Sequence, residues 1–135
     1  MAMVKHREVS LQNFSILLIE DEKELAELMR ECLSHLGYKV ILATNGSDGI
    51  WKVKNQKFNL IITDLNMPRC SGLDLVKFLS DETKSHINLN HKTPVIVLSA
   101  FIDSKSIEEL QGKVTKVFTK PIDYQFIADF ISKNF

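Results

Sequence analysis

The sequence predicts an α/β domain in which a five-stranded parallel sheet carries helices on both faces. Three observations point there. Five short apolar runs recur along the chain, stretches of helical period separate them, and three of the runs are nearly unbroken β-branched or leucine segments. A strand that alternates apolar and polar residues has one wet face, whereas an unbroken apolar strand is covered on both. Repeated β–α alternation calls for parallel strands joined by right-handed crossovers.

Taken in order, the first run is FSILLI (14–19). Leu25, Leu28, Met29, Cys32, Leu33 and Leu36 follow at i, i+3, i+4, i+7, i+8 and i+11, one apolar face of a helix that Gly37 stops. The second run is YKVILA (38–43). After Asn45-Gly46, residues 47–55 with Ile50, Trp51 and Val53 read as a second helix. The third run, FNLIIT (58–63), ends abruptly on Asp64. Beyond Pro68 and Gly72, the residues Leu73, Leu75, Val76, Phe78 and Leu79 form a third helical pattern. SDETKSHINLNHKT (80–93) is a long polar connection, expected to fray or bulge outward. PVIVLS (94–99) is the fourth strand, 104–111 a short polar helix, and VTKVFT (114–119) the fifth strand. Phe126, Ile127, Phe130 and Ile131 mark a last helix running to the C-terminus. Residues 1–13 are mixed and polar. They read as an extension, disordered or an expression remnant, to a domain spanning 14–135.

At 135 residues the chain is one domain, long enough to bury roughly two thirds of its extended surface. Seventeen basic side chains balance seventeen acidic ones, so no basic excess marks nucleic acid or an acidic membrane as a partner. No apolar run approaches the roughly 18 residues of a membrane span, and no signal peptide opens the sequence. Cys32 and Cys70 have no motif spacing. Cys32 reads as a small buried hydrophobe, and the chain as intracellular. His6, His35, His86 and His91 are scattered with no cysteine nearby, which speaks against zinc.

Open α/β sheets bind ligands at the carboxyl ends of their strands. Those ends carry Glu20 and Asp21, then Asp64, then Ser99, then Lys120 before Pro121. Each has an ordinary reading: Asp21 or Glu22 as a helix cap, Asp64 as a turn residue, Ser99 as a cap, Lys120 as a solvated charge. Together they are harder to dismiss. Two carboxylates about 4 Å apart repel by ~4 kcal/mol at an effective dielectric near 20, so three on one edge require cations. Lys120 offers one, and an oxygen-rich site with an open position suits Mg²⁺ and phosphate oxygens.

LLIEDE, IITDLNMPRCSGLDLV, PVIVLSA and VFTKPI, in this order, resemble the receiver domain of two-component response regulators from about Phe14 onward. The resemblance implies a doubly wound, flavodoxin-like sheet of order 2-1-3-4-5. It also implies phosphoryl transfer from the phosphohistidine of a histidine kinase or histidine phosphotransfer domain to an aspartate. Position by position, Asp64 matches the acceptor, Glu20 and Asp21 the acidic pair for Mg²⁺ (or Mn²⁺), and Asn66 the backbone carbonyl completing the metal shell. Ser99 matches the hydroxyl that turns toward the phosphoryl group, and Lys120 the lysine that pairs with acceptor and phosphoryl oxygens. A cis Lys120–Pro121 bond is implied too. Output is expected through the fourth helix, fifth strand and fifth helix to a downstream protein, without nucleic acid or membrane, as a monomer or phosphorylation-dependent dimer.

One position departs. Many receivers carry an aromatic three residues before the lysine, where this chain has Val117; Phe118, on the other side of the strand, reads as core. Phe101 is expected to slow water entry at the site. Other classes stay in view. A pseudo-receiver acting only as an interaction module would lack the acids or the lysine. A flavodoxin-like cofactor protein would want a Ser/Thr/Gly-rich loop where this chain has EDEKEL. An aspartate-based phosphatase would want an acid where it has Asn66.

Overall fold

A computed structural model of the protein describes residues 13–101 and 103–135. Most of the N-terminal extension, residues 1–12 with His6, lies outside the described residues. The elements are β1 (Ser15–Ile19), α1 (Lys23–His35), β2 (Lys39–Ala43), α2 (Gly46–Asn55), β3 (Leu60–Asp64), α3 (Gly72–Ser80), a 3₁₀ turn (Glu82–Ile87), β4 (Val95–Ser99), α4 (Ser104–Leu110), β5 (Lys116–Thr119) and α5 (Tyr124–Asn134). All strand pairings are parallel and the order is β2-β1-β3-β4-β5.

The unbroken apolar runs are the three central strands, and alternation divides their side chains between two cores. Leu17, Ile19, Ile61, Val95 and Val97 face one layer, where α2 contributes Val53, α3 Leu75, Val76 and Leu79, and α4 Leu110. Ile16, Leu18, Leu60, Ile62, Ile96 and Leu98 face the other, against Met29 and Leu33 of α1 and Ile127, Ala128 and Ile131 of α5. Phe118 lies on this second side, half-buried, with ring centroids 5.8 Å from Phe126 and 5.4 Å from Phe130.

Two expectations need correction. The buried stripe of α1 is Ala26, Met29 and Leu33, while Leu28 is 53% exposed. Successive helix positions are about 100° apart, so a helix rolled toward Ala26 turns Leu28, next to Met29, out of the contact. Cys32 is accordingly half-buried rather than core.

The polar 80–93 connection does not fray. Asn88, Asn90 and Thr93 are buried, with Asn90 at 0% exposure. The Asn90 Nδ2 donates to the carbonyls of Val53 and Gln56, both at 2.7 Å. Its Oδ1 accepts from the Phe58 N–H at 2.8 Å and the Thr93 hydroxyl at 2.9 Å. Asn88 donates to Leu79 O and accepts from Asn90 N. One amide therefore ties together the end of α2, the entry to β3 and the entry to β4.

Candidate functional site

All the polar strand-end residues come to the carboxyl edge of the sheet. Asp64 is the last residue of β3 and Ser99 the last of β4; Glu20 follows β1 and Lys120 follows β5. Glu20 is 1% exposed and Asp64 3%, whereas Asp21 is exposed. Glu20, Asp21 and Asp64 each offer a carboxylate oxygen, and the three lie within 4.8 Å of one another. Lys120 Nζ bridges the two buried acids, 3.1 Å from Glu20 Oε1 and 3.2 Å from Asp64 Oδ2.

The capping pattern bears on the ordinary readings. The N-cap side chains of α2, α3, α4 and α5 (Asn45, Ser71, Asp103 and Asp123) all accept a backbone N–H, and Ser71 with Asp74 makes a full capping box. At α1 the cap is Glu22, with no side-chain cap bond. The acids before α1 are thus not spent as caps, although Glu20 Oε2 does accept from the Glu22 N–H at 3.2 Å. Asp64 has both characters. Its Oδ1 accepts from the Asn66 N–H at 3.2 Å, an Asx-type turn, while Oδ2 faces Lys120. Asp103, not Ser99, caps α4.

Burial and the neighbouring Asp64 charge push the Glu20 carboxyl up to about 7, against the opposing Glu22 N–H and Lys120 ammonium. Burial works against the Lys120 ammonium, but its bonds to Glu20 and Asp64 outweigh this and raise it above its ordinary value. The edge binds positive charge because two acids have been taken out of water beside each other.

Backbone close approach holds the Asp64 loop. A Cβ at Gly72 would run into the carbonyl oxygen of Asp64 and the Cα of Leu65, and one at Gly46 into the carbonyl of Cys70. Only a glycine lets α3 begin this close to the end of β3. The Lys120–Pro121 peptide bond is cis. Val117 is half-buried on the α2–α4 side of β5.

Among the described residues, the Ser99 hydroxyl bonds to Asn66 and Phe101 rather than to Asp64 or Lys120. The Asn66 side chain was not expected at the site, since its position in the sequence pointed only to a backbone carbonyl. Phe101 contributes its carbonyl; its ring, 72% exposed, shields little.

A family model for the response regulator receiver domain matches residues 16–132. The transcriptional regulatory protein CrdR of Helicobacter pylori is 32% identical over 121 residues, covering 89% of this chain and 54% of that protein. The polar-differentiation response regulator DivK of Brucella anthropi is 30% identical over 109 residues, covering 80% of this chain and 85% of its own length. Hybrid signal transduction histidine kinase G of Dictyostelium discoideum is 28% identical over 97% of this chain, which spans only 3% of that protein. The fold is shared with chemotaxis protein CheY4 of Vibrio cholerae, with TM-score 0.78, 22% identity, and 90% of this chain and 98% of that one covered. The Francisella response regulator 1452 receiver domain gives TM-score 0.76 at 25% identity, covering 90% and 95%. No helix among the described residues is long and apolar enough to cross a membrane. With nearly the whole domain matched and the strand order shared, the chain belongs to the receiver domains of two-component response regulators.

Proposed function

We propose that the chain is a phosphorylation-dependent switch in which Asp64 takes a phosphoryl group from the phosphohistidine of a histidine kinase or histidine phosphotransfer domain. The observation that carries this reading is the buried Asp64 carboxylate, bridged by Lys120 to buried Glu20 and grouped with Asp21 within 4.8 Å. An interaction module without phosphorylation would have no use for two desolvated acids held beside one lysine.

The donor set fits Mg²⁺, with Mn²⁺ as its substitute. Hard oxygen ligands are grouped around exposed Asp21, and such an ion keeps some of its waters. Glu20, Asp21 and Asp64, with the Asn66 carbonyl, would hold it, and when bound it neutralises charge on the phosphoryl oxygens.

Asp64 attacks phosphorus in line, a carboxylate oxygen held beside the Lys120 ammonium serving as the nucleophile. The P–N bond to the donor imidazole breaks as the O–P bond forms, and the imidazole takes up a proton. Lys120 follows the charge from the carboxylate to the phosphoryl oxygens. Hydrolysis repeats the geometry with water as nucleophile, returning the Asp64 carboxylate and inorganic phosphate. Ser99 turning toward the phosphoryl group repositions the β4–α4 loop and biases the face of α4, β5 and α5. A groove of about 590 Å³ between α4 and β5, lined by Ile107, Leu110, Val114 and Val117, forms the α4–β5 part of that face, where a downstream protein or a second copy docks.

Incubation with acetyl phosphate and Mg²⁺ followed by intact mass tests the reading. One phosphoryl adduct is expected, absent in Asp64→Ala. No adduct, or one that survives the substitution, refutes it and leaves the interaction module.

A further inference from the structure

Ser99 is buried at the end of β4, and its hydroxyl is held at two points. Its Oγ lies 2.6 Å from the carbonyl oxygen of Phe101 and 3.1 Å from the side-chain oxygen of Asn66. A serine hydroxyl has a single proton and cannot donate fully to both. The proton is shared, with the shorter branch going to the Phe101 carbonyl and the longer to Asn66 Oδ1. The Ser99 carbonyl meanwhile accepts the Lys120 N–H at 2.8 Å, which fixes the backbone in the sheet. Any turn of Ser99 is therefore a side-chain rotation, and these two hydroxyl bonds are what it breaks.

Asn66 also reaches the other way. Its backbone N–H donates to Asp64 Oδ1 at 3.2 Å, so one residue touches both the acceptor carboxylate and the hydroxyl of Ser99. β5 carries Val117 where an aromatic ring could have tied the resting state to a rotamer.

We propose that the Asn66 side chain is a positioning residue that holds Ser99 in its resting orientation, so that breaking this bond sets how much unphosphorylated protein adopts the active arrangement. The proposal rests on the reading of Asp64 as phosphoryl acceptor. Losing one neutral hydrogen bond from the resting state shifts the equilibrium roughly fivefold toward the active one. A ligand that selects the active arrangement then binds more tightly by up to the same factor, as long as the resting state dominates.

The test uses Asn66→Ala and beryllofluoride with saturating Mg²⁺ as the phosphoryl mimic. Asn66 is exposed, so the variant keeps the fold, checked by its thermal unfolding. In two-dimensional amide NMR of the unliganded variant, the signals of Ser99, Ala100 and Phe101 are expected to move part of the way toward their beryllofluoride-bound positions. Apparent beryllofluoride affinity is expected to rise roughly fivefold. A loss of packing alone would not move signals along that line. Signals that stay at their resting positions, or an affinity that is unchanged or weaker, overturn the proposal. A wild-type protein that does not respond to beryllofluoride would remove the Asp64 reading and this one with it. A responsive wild type beside an unmoved variant removes this one alone.

Discussion

Asn90→Ala is expected to be among the most destabilising single changes in this protein, although Asn90 sits in a stretch with the composition of a loop. The substitution removes two donors, to the carbonyls of Val53 and Gln56, and one acceptor, for the N–H of Phe58. Each group left unpaired away from water costs about 1–3 kcal/mol. The vacated space is polar and invites a water, which would re-pair one or two of them. The expected loss is therefore ~3–5 kcal/mol, a large part of the ~5–15 kcal/mol typical of a domain. At about 3–5 °C per kcal/mol for this size, the melting temperature falls by ~10–20 °C. Urea unfolding followed by circular dichroism measures it. Asn90→Asp sharpens the test, because it keeps the acceptor for Phe58 but presents a carboxylate to two carbonyls. It should cost at least as much as alanine. The folded fraction of either variant should still take phosphate from acetyl phosphate, since the hub ties together strand entries and Asp64 stands at a strand exit. A loss below ~1 kcal/mol with an unchanged m-value, or a near-wild-type Asn90→Asp, would refute the account of the hub.

Three further outcomes follow from the site. Raising the Glu20 carboxyl from 4.5 to about 7 corresponds to ~3 kcal/mol. The folded state holds this proton more tightly, so metal-free wild type should lose about that much stability relative to Glu20→Gln as pH climbs from 4.5 to about 7, then level off; parallel urea-midpoint curves for the two proteins would contradict it. Gly72→Ala drives a Cβ into the Asp64 carbonyl and the Leu65 Cα, backbone that cannot yield without moving Asp64. It should cost ~1–3 kcal/mol and also slow acetyl-phosphate labelling, and a variant labelled at the wild-type rate counts against this role. Phe101→Ala removes an exposed ring and leaves the carbonyl that binds Ser99, so loss of phosphate should stay within roughly twofold of wild type. A faster decay would restore the ring as a shield over the site.

The sequence and the structure agree where burial writes a period into the chain, and part where a polar side chain is buried against backbone. β1, β3 and β4 are legible because both their faces meet helices, which forces unbroken apolar runs. The strand-end acids and lysine are legible because parallel strands send every carboxyl end to one edge. Asn90 was not, since a buried asparagine that satisfies backbone groups has the same composition signal as a solvated one. The two differ only in where the partners lie, 32 to 37 residues away along the chain. The roll of α1 toward Ala26 is hidden for a related reason, as apolar spacing gives a stripe but the neighbouring sheet selects which edge of it is used. The Asn66 side chain is the case with most bearing on function. Nothing in IITDLNMP distinguishes an asparagine that lends only its carbonyl from one whose amide also reaches Ser99, 33 residues on. That contact joins the loop after β3 to the last residue of β4. It is therefore one direct route from Asp64 to the Ser99 hydroxyl, beside the route through Lys120 to the Ser99 carbonyl.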